Sequence, residues 1–393
     1  QGGNSTVPAT QGAGTYTGTT HGVIPSSAAG TGLANYSITY VPNTLTINKA
    51  TLVVTADNQI RVYGDANPTL TYVISGYVNS ENLANSGVTG APTISTTATA
   101  SSNVNSYTIT SAANNLAAAN YQFSYTDGTL TVNRRPVTVT ADDKARIYGA
   151  SNPTLTYTVA ADGTGTSRGL YSADTLTGGV ATAATATTNV GTVAITQNTL
   201  TNASNSNYDI TFNNGTLTVN KATLTVTADA KTMTYGDSSL PSLTATITGF
   251  VNNQNLGSSG VTGVASLSTT ATAYDGNTVG SASVVGSYTI TPTVGTLTAS
   301  NYDFIYANGT LSVGRASLTI AAANDSKIYG ATTTAANITY ASGVATGVSV
   351  GYTTSGLVNG DTISSVTLTS SGGNATATIA SGPYTITPSA LSG

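Results

Sequence analysis

The sequence predicts an all-β protein built as a tandem array of small domains. Thr, Val, Tyr, Asn and Gly are abundant among its 393 residues, whereas the helix formers Glu and Lys are scarce. This composition favours strands and turns over helices. A hydrophobic fraction of 39% with a net charge of only −4 is typical of a folded chain. Two sequence markers, described next, recur at matching intervals and divide the chain into repeats.

The first marker is a Tyr-Gly pair, and the second is an Asn-Tyr pair. The tyrosines of the first are Tyr63, Tyr148, Tyr235 and Tyr329. Those of the second are Tyr36, Tyr121, Tyr208 and Tyr302. Both series have intervals of 85, 87 and 94 residues. Two independent markers with the same spacing indicate tandem domains, and a period of this length disfavours a β-solenoid, whose coils are about 20–30 residues long.

Each repeat follows the same order of elements. A strand such as "ATLTVTAD" leads to the Tyr-Gly turn and to a strand such as "PTLTYTV". A longer segment, a Thr-Ala strand and a strand such as "NSYTIT" come next. The closing segment, "NYQFSYTDGTLTV", predicts a hairpin that turns at Asp127-Gly128, since these residues tolerate positive φ. Asn214-Gly215 and Asn308-Gly309 occupy the same place in later repeats.

Six or seven short strands per repeat, with turn residues every 8–12 positions, predict a small β-sandwich (Ig-like) or a β-grasp-like domain. A β-grasp would need a helical turn, for which residues 77–87 are the candidate. The predicted boundaries are 1–49 for the tail of a preceding incomplete repeat, 50–134 for repeat 1, 135–220 for repeat 2, 221–314 for repeat 3 and 315–393 for repeat 4, which lacks its closing hairpin.

The strand that closes one repeat leads almost directly into the strand that opens the next. Corresponding apolar residues on the two sides are seven positions apart: Leu45 and Leu52, Leu130 and Val137, Leu217 and Leu224, Leu311 and Leu318. Because side chains alternate faces with a period of two, an odd step places the second core on the opposite face. Such short connectors predict a stiff rod that grows by about 35 Å per repeat, at about 3.3 Å per strand residue.

The combined pattern "KATLTVTAD…YGD…NPTLTYTV…SYTIT…NY.F.Y..GTLTVNKA" resembles the MBG-type (YGX type) repeats and the related YDG-type repeats. The resemblance extends over about residues 35–393, and repeat 4 departs from it after Gly330. It implies β-rich modules in large bacterial surface proteins and filamentous-haemagglutinin-like adhesins. It therefore implies an extracellular location at the bacterial cell surface and a role in stalks, adhesion or biofilm, and it brings no catalytic residues.

The composition argues against enzymatic chemistry and against several classes of partner. The only His, His21, lies outside any complete repeat, so a Ser-His-Asp set is not expected. Without Cys, a Cys- or His-based metal site is excluded. The weak acidic balance argues against nucleic acid, and no apolar run is long enough for a membrane helix. We expect a protein that is not an enzyme.

Calcium is the one cofactor that the sequence suggests, because Ca²⁺ binds Asp, Asn and backbone oxygens. The candidate ligands are Asp57, Asp65, Asn67, Asp142, Asp143, Asp229 and Asp237, with Asn152 at the place of Asn67. They recur near the repeat boundaries, where an ion would stiffen the joint. The alternative is that these residues cap turns through local hydrogen bonds.

Two further sets of recurring residues have structural interpretations. Tyrosines in strand patterns are expected in the core rather than on a ligand-binding surface; these are Tyr107, Tyr121, Tyr288 and Tyr302. Basic residues recur at the junctions, and we expect each of them to be solvated or paired with an Asp; these are Lys49, Arg135, Lys221 and Arg315.

Three functions fit these features. The first is a stiff stalk or filament segment of a surface protein, whose partners are neighbouring repeats. The second is a self-assembling fibre subunit, in which residues 35–49 of one copy complete the incomplete last repeat of another by strand complementation. The third is a glycan-binding adhesion module that binds surface glycans or matrix through the loops 77–92 and 160–178.

Overall fold

The fold is all-β in the computed structural model, which describes residues 11–17, 28–330, 338–341, 351–373 and 376–392. These residues contain no α-helix, and their only helical elements are three 3₁₀ turns: Leu33–Asn35, Ser371–Gly373 and Ile379–Ser381. The chain forms two compact units. The first consists of Gln1–Lys144, Pro153–Ala183 and Thr192–Leu217, and the second of Ala145–Asn152, Ala184–Gly191 and Thr218–Gly393.

The strands before and within repeat 1 set the pattern for the chain. The tail contributes β1 (Gly14–Tyr16) and β2 (Leu45–Ile47). Repeat 1 contains β3 (Ala50–Ala56), β4 (Gln59–Val62), β5 (Tyr72–Ser75), β6 (Thr93–Ser95), β7 (Asn105–Ala112), β8 (Tyr121–Thr126) and β9 (Gly128–Asn133). β1 pairs with β2 antiparallel, with Tyr16 opposite Leu45, in the way that Tyr107 of β7 lies opposite Leu130 of β9.

Repeat 1 is a sandwich of two sheets. The first sheet has the order β5-β3-β8, in which β3 runs antiparallel to β5 and parallel to β8. The second has the order β4-β9-β7-β6, in which only β4 and β9 are parallel. Ala56 of the first sheet packs with Ile109 and Leu130 of the second in one core. Residues 77–87 form turns and no helix, so the sandwich is the correct alternative and the β-grasp is not.

The same strands recur in the next two repeats. Repeat 2 contains β10 (Arg135–Ala141), β11 (Lys144–Ile147), β12 (Tyr157–Val159), β13 (Val180–Thr182), β14 (Gly191–Gln197), β15 (Tyr208–Asn213) and β16 (Gly215–Asn220). Repeat 3 contains β17 (Ala222–Ala228), β18 (Lys231–Thr234), β19 (Ala245–Thr248), β20 (Ser266–Thr269), β21 (Gly286–Thr293), β22 (Tyr302–Ala307) and β23 (Gly309–Gly314). Sheets β12-β10-β15, β19-β17-β22 and β18-β23-β21-β20 repeat the arrangement of repeat 1.

Repeat 4 departs from this arrangement in its described part. It contains β24 (Thr319–Ala322), β25 (Ile338–Ala341), β26 (Tyr352–Ser355), β27 (Ser365–Thr369) and β28 (Thr387–Ser392). β24 pairs antiparallel with β26, and a second sheet has the order β25-β27-β28. Among the described residues β24 has this one partner, whereas β3, β10 and β17 each have a parallel partner on the other edge as well.

The prediction of a closing hairpin at Asp127-Gly128 is wrong. β8 belongs to the three-stranded sheet and β9 to the four-stranded one, so the chain crosses between sheets at this point. Gly128 has no positive φ. A Cβ at Gly128 would lie 2.5 Å from the carbonyl oxygen of Ala56, and Gly215 and Gly309 are as close to Ala141 and Ala228. Glycine is therefore required for close approach of two strands and not for a tight turn.

The face alternation expected at the junctions is present after repeats 1, 2 and 3. Leu130 and Val132 are buried before the junction, and Val137 and Val139 after it, so the buried set changes from even to odd numbers. Leu217 and Leu224 are likewise fully buried. At the last junction the set facing the core changes from the odd-numbered Leu311 and Val313 to the even-numbered Ile320 and Ala322, which pack against the core of repeat 4. Leu318 itself departs from the expectation, because it is 40% exposed.

Candidate functional site at the joints between repeats

The Tyr-Gly turns carry the recurring interaction between repeats. Each turn follows directly after a short strand, β4 in repeat 1 and β18 in repeat 3. Tyr63 and Tyr148 are 5% and 3% exposed, and each lies in a core cluster formed mostly by residues of the following repeat. Tyr63 packs with Val137, Val139, Leu200 and Tyr208 of repeat 2, and Tyr148 with Leu224, Val226, Leu297 and Tyr302 of repeat 3. Each tyrosine therefore completes the hydrophobic core of the repeat that follows it.

The joint between repeats 1 and 2 is held by three tyrosines and a carboxylate. The ring of Tyr63 lies edge-to-face against Tyr171 and Tyr208, with centroids 5.4 and 5.7 Å apart. The hydroxyls of Tyr63 and Tyr208 both donate to Oδ2 of Asp174, at 3.0 and 2.6 Å. The Tyr208 hydroxyl in turn accepts the backbone N–H of Tyr171 at 3.1 Å. Edge-to-face aromatic pairs with satisfied hydroxyls are a stable way to bury tyrosine.

Burial and the Asp174 carboxylate both act on these phenols. Desolvation, followed by the hydrogen bond to Asp174, raises the pKa of Tyr63 above its ordinary value of 10.0. The same two causes raise the pKa of Tyr208. Both groups are therefore neutral donors at physiological pH, which is the protonation state that the shared carboxylate requires.

The same joint carries the clearest ion pairs of the first unit. Arg168 donates to both carboxylate oxygens of Asp65 at 2.8 and 2.9 Å. Arg135 lies 3.6 Å from Asp65 and is 8% exposed. Its guanidinium also donates to the carbonyl oxygens of Arg168, Gly169 and Tyr63. Arg135 thus binds both repeats, and its buried charge is compensated by the carboxylate and three carbonyls.

The joint between repeats 2 and 3 has the same design with an amide in place of the carboxylate. The rings of Tyr148 and Tyr302 lie edge-to-face with centroids 5.6 Å apart. Gln254 donates from Nε2 to the Tyr148 hydroxyl at 3.2 Å and accepts the Tyr302 hydroxyl at Oε1 at 2.6 Å. The Tyr302 hydroxyl accepts the N–H of Val251 at 3.2 Å. An amide suits this place because it can donate and accept at once.

The joint between repeats 3 and 4 retains the contact in a less buried form. The Tyr235 hydroxyl donates to Oδ2 of Asp361 at 2.8 Å and accepts Nδ2 of Asn359 at 2.8 Å. Asn359 is 2% exposed, and its Oδ1 accepts the N–H of Ala282 at 3.1 Å. The turn of repeat 3 is therefore seated on repeat 4 by hydrogen bonds.

The glycine of each Tyr-Gly pair is required by space and by backbone geometry. Gly64, Gly149 and Gly236 have φ of 85°, 86° and 86°. A Cβ there would lie 2.6 Å from Tyr171, 2.4 Å from Val251 and 2.3 Å from Val358, respectively. Only glycine permits both the left-handed conformation and this contact. The glycine is the point at which one repeat touches the next.

The asparagine of the Asn-Tyr marker fixes the other side of the first two joints. Oδ1 of Asn207 accepts the N–H of Val104 at 3.0 Å, and Oδ1 of Asn301 accepts that of Val190 at the same distance. Nδ2 of Asn207 also donates to Asn103 at 2.8 Å. The Asn-Tyr marker therefore has two parts, an asparagine that binds the preceding repeat and a tyrosine that receives its phenol.

A comparison with known protein families gives one match. The family model of the MBG domain (YGX type) matches residues 52–131, 137–218 and 224–312, which together are more than half of the chain. The chain belongs to the MBG domain (YGX type) family. The resemblance stated from sequence is thus confirmed. MBG repeats are typical of surface proteins of adhesin type, which supports a role as a repeat protein. No curated protein matches the chain.

The residues that receive the tyrosine of the preceding MBG repeat were not anticipated from sequence. Asp174, Gln254 and Asp361 each lie three positions after Tyr171, Val251 and Val358, and Glu81 lies three after Val78. A glycine with positive φ precedes each group by two positions: Gly169, Gly249, Gly356 and Gly76. A recurring Gly-x-(Val/Tyr)-x-x-(Glu/Asp/Gln) pattern is therefore the sequence signal for the acceptor. This signal is weak, because the acceptor changes residue type from repeat to repeat.

The seven calcium candidates are distributed over separate hydrogen bonds. Three of them close the corner after the opening strand of their MBG repeat: Asp57 accepts the Thr71 hydroxyl, Asp142 that of Thr156, and Asp229 those of Thr244 and Thr246. The two bonds to Asp229 lower its pKa. Asp65 binds arginine, as described above. The others bind amides or arginine: Asn67 binds Arg61, Asp143 the N–H of Thr216 and Asp237 the N–H of Thr234.

Within the described part of the chain, no three Asp, Glu or His side chains come together as a metal site. Asn152 donates to the carbonyl oxygen of Ala184 at 2.7 Å, as Asn67 does to that of Ala98 at 2.6 Å. These bonds match the alternative in which Asp and Asn cap turns. Calcium binding itself stays a prediction.

The remaining predicted residues lie in or beside the joints. Tyr121 and Tyr302 are fully buried as expected, while Tyr107 and Tyr288 pack partly buried against the cores. Among the junction cations, Lys221 lies 3.2 Å from Asp303, and Lys49 donates to the carbonyl of Ala118 at 2.8 Å. His21 lies outside the described residues. No helix in the described part of the chain is long and apolar enough to span a membrane.

The position assigned to Arg135 needs a correction. In the pairing registers Arg135 lies opposite Tyr208, as Ala50 lies opposite Tyr121 and Ala222 opposite Tyr302. Arg134, and not Arg135, therefore corresponds to Lys49 and Lys221. The sequence offers two adjacent arginines at this junction, and only the strand register shows which of them faces the core.

Proposed function

We propose that the chain is a structural segment of an extracellular bacterial surface protein, in which MBG repeats are coupled in series as a stiff stalk. The supporting observation is that Tyr63 and Tyr148 each complete the core of the following repeat. A repeat that supplies part of its neighbour's core resists bending at the joint, because bending would expose that core to water. The chain is not an enzyme in this proposal, and its partners are the neighbouring repeats.

The connectors and the strand directions support a role under tension. One residue, Arg134, separates β9 from β10, and Lys221 alone separates β16 from β17. A pulling force enters repeat 1 through β3 and leaves through β9. Both strands have parallel partners, β8 for β3 and β4 for β9. Such a load shears several hydrogen bonds of a parallel pair at once, whereas a hairpin opens one bond at a time.

Small-angle X-ray scattering of the full chain tests the stiffness. A short Gly-Ser insertion between Asn220 and Lys221 should separate β16 from β17 and withdraw Tyr148 from its neighbour's core. We expect the parent chain to give the scattering of a stiff particle. The insertion variant should give a broader distribution of interatomic distances and a shorter mean end-to-end length.

The matched control is the same insertion between Ala113 and Asn114, in an exposed loop of repeat 1. It adds the same residues without touching a joint, so its scattering should follow that of the parent chain. Identical curves for the two insertion variants and the parent would contradict the stalk proposal, because the joint would then add no stiffness.

A self-assembling fibre is the second candidate, and one observation favours it. Residues 36–41 correspond to strand β8 of repeat 1, yet here they form no strand and expose Tyr36 at 73% and Ile38 at 42%. β24 has one described strand partner, where β3 has a parallel partner on its other edge. Residues 36–41 of one copy could therefore pair with β24 of another, which is strand complementation between residues 35–49 and the last repeat.

Electron microscopy of two variants tests the fibre. Ile38→Lys places a charge on the side of the donated strand that faces the core, because Ile38 corresponds to the partly buried Phe123. Thr39→Lys is the control, because Thr39 corresponds to the exposed Ser124. Fibres that are lost with Ile38→Lys and retained with Thr39→Lys support strand complementation, and an absence of fibres in the parent chain contradicts it.

Glycan binding is the third proposal, and the exposure of the two candidate loops favours one of them. Arg168, Tyr171 and Asp174 of the loop 160–178 contact repeat 1. The loop 77–92 is the equivalent segment of repeat 1, with Val78 46% and Leu83 54% exposed. A contact with surface glycans or matrix would therefore involve the loop 77–92 rather than the loop 160–178.

A further inference from the structure

Repeats 1, 2 and 3 each leave one strand at the edge of the three-stranded sheet: β8, β15 and β22. In a parallel pair, every second residue of a strand bonds to its neighbour. The N–H of Ala50 in β3 donates to the carbonyl oxygen of Asn120 at 3.0 Å, so the even-numbered residues of β8 bond to β3. The backbone groups of Phe123 and Tyr125 therefore point outward from the sheet.

Repeat 2 closes this edge with a side chain of its own. Ile210 holds the place in β15 that Phe123 holds in β8, as the pairing registers show. The N–H of Ile210 donates to Oδ1 of Asn202 at 2.8 Å, and Nδ2 of Asn202 donates to Asp209 at 2.9 Å. The amide of Asn202 thus occupies the position that the backbone of a further strand would need.

Repeat 1 lacks this cap on its edge strand. The segment before β15 is residues 198–207, whereas the segment before β8 is residues 113–120 and is two residues shorter. The shorter segment has no counterpart of Asn202. Among the hydrogen bonds of the described residues, none involves the N–H of Phe123. The edge of β8 therefore presents an unpaired backbone donor where β15 presents a satisfied one.

The amino acids of β8 also leave its edge unprotected. Its sequence, "YQFSYT", contains no charge, no Pro and no Gly, which is the composition of segments that pair with copies of themselves. β15 and β22 carry Asp209 and Asp303, and Asp303 lies 3.2 Å from Lys221; charged residues hinder edge pairing. The Gln122 side chain of β8 donates to Thr51 of β3 at 3.0 Å, so it does not cover the edge.

We propose that β8 pairs antiparallel with β8 of a second copy of this chain, so that two three-stranded sheets join into one. The chemistry of the edge identifies the occupant. Outward N–H and C=O groups bind an extended backbone, and a strand without charge meets no repulsion from its own copy. With Phe123 opposite Phe123 of the second copy, Gln122 lies opposite Ser124. The contact is isologous, so it closes as a dimer.

This contact adds association between copies to the proposed stalk and uses different residues from the other proposals. The stiffness of the stalk depends on the joints, and strand complementation depends on Ile38 and β24. A chain that stays monomeric would refute the β8 contact and leave the scattering test of the stalk unaffected. Growth beyond a dimer would report strand complementation and not the β8 contact.

Sedimentation velocity of the full chain tests the contact from about 1 μM to about 1 mM, a range that covers weak protein interfaces. The parent chain should pass from monomer to dimer as its concentration rises. The double variant Gln122→Lys with Ser124→Lys places like charges opposite each other twice in the dimer. Its dissociation constant should rise by about tenfold or more. Both side chains are exposed, so the variant should fold, which circular dichroism checks.

Charge reversal gives the sharpest result. The double variant Gln122→Glu with Ser124→Glu should be as weakly associated by itself as the lysine variant. In an equimolar mixture of the two variants, each lysine meets a glutamate across the contact, so heterodimers should form at concentrations where each variant alone is monomeric. This recovery requires that β8 of one copy lies against β8 of the other.

The matched control adds the same two charges to a central strand of repeat 1. Thr108 and Thr110 are exposed on β7, which lies between β9 and β6 in the four-stranded sheet. Thr108→Lys with Thr110→Lys should dimerise like the parent chain, because no edge is altered. Ile38→Lys should also dimerise.

Four outcomes would overturn the proposal. The parent chain could remain monomeric over the whole range. The lysine variant of β8 could dimerise as well as the parent, which would place the contact elsewhere. The β7 control could lose association to the same extent, which would make the effect one of net charge. The mixture of oppositely charged variants could form no heterodimer although the parent dimerises.

Discussion

At the scale of single residues, tyrosine serves the joints because one side chain combines a large apolar ring with a polar end. The ring of Tyr148 enters the core of repeat 3, and its hydroxyl stays satisfied by Gln254 at the edge of that core. Phenylalanine would supply the ring without the hydrogen bond, and glutamine or asparagine would supply the bond without the ring. The chain uses tyrosine at this position in all four repeats.

Replacing the seated tyrosine should therefore destabilise the second unit. Tyr148→Ala should lower the free energy of unfolding by about 3–5 kcal/mol, the usual cost of removing a buried aromatic side chain. Tyr148→Phe should cost about 1 kcal/mol, for one hydrogen bond. Differential scanning calorimetry measures both changes.

Tyr329→Ala is the matched control, because Tyr329 has the same place in its repeat and is 63% exposed. It should change the free energy of unfolding of the monomer by less than about 0.5 kcal/mol. A loss for Tyr148→Ala no larger than that of the control would show that the joint does not depend on the buried ring.

At the scale of elements, the fold depends on strands that cross between sheets without turning. β8 leads into β9 through Asp127, and β22 leads into β23 through one residue, Asn308. At each crossing a glycine lies against the carbonyl oxygen at the end of the opening strand, Ala56 or Ala228. The sandwich closes at this point, and the two sheets approach each other so closely that no room is left for a methyl group on the glycine.

Adding that methyl group should destabilise the crossing. Gly309→Ala would bring its Cβ to 2.3 Å from the carbonyl oxygen of Ala228, so the backbone of β17 or β23 must shift. We expect a loss of about 1–3 kcal/mol, the usual cost of overpacking, measured by urea denaturation.

The control lies in the same sheet of the same repeat. Gly286 is the first residue of β21, has no positive φ, and a Cβ there would meet its nearest atoms at 4.0 Å. Gly286→Ala should be neutral within about 0.5 kcal/mol. Equal effects of the two substitutions would contradict the role given to Gly309.

At the scale of the whole molecule, phenols connect stability to pH on the alkaline side. Burial and Asp174 raise the pKa of Tyr63, and Glu81 with burial raises that of Tyr121. A group with a raised pKa in the folded state stabilises the fold below its unfolded pKa, here 10.0, and loses that contribution as the pH rises through the folded value. Stability should therefore fall on the alkaline side.

The melting temperature measured from pH 7 to pH 12 tests this expectation. It should change little on account of these phenols up to about pH 10 and decrease above it, where they ionise. Tyr63→Phe should be less stable at neutral pH, for lack of the bond to Asp174, and should lose less stability on going to high pH. Tyr329→Phe should follow the parent chain, and a parallel decrease in Tyr63→Phe and the parent would contradict the role of Tyr63.

The amino-acid sequence by itself determined the all-β class, the tandem repeats and the family, because these follow from composition, from alternation of apolar residues and from the spacing of two tyrosine markers. It also predicted that Leu130 and Val137 lie on opposite faces, because side chains alternate along a strand and these residues are an odd number of positions apart. It did not reveal the sheet to which a strand belongs. Asp127-Gly128 is as suitable for a hairpin as for a crossing, and β3 and β4, about 70 residues earlier in the chain, decide between them.

The tertiary structure alone decided the role of the Tyr-Gly turns. Periodicity shows that a tyrosine recurs at one position of each repeat. It does not show which residues bury that tyrosine. Tyr63 is buried by Val137, Leu200 and Tyr208 of the next repeat. The acceptor on that repeat varies among Glu81, Asp174, Gln254 and Asp361, because any side-chain oxygen within reach satisfies a phenol. For this reason the joint is preserved in geometry while its residues change.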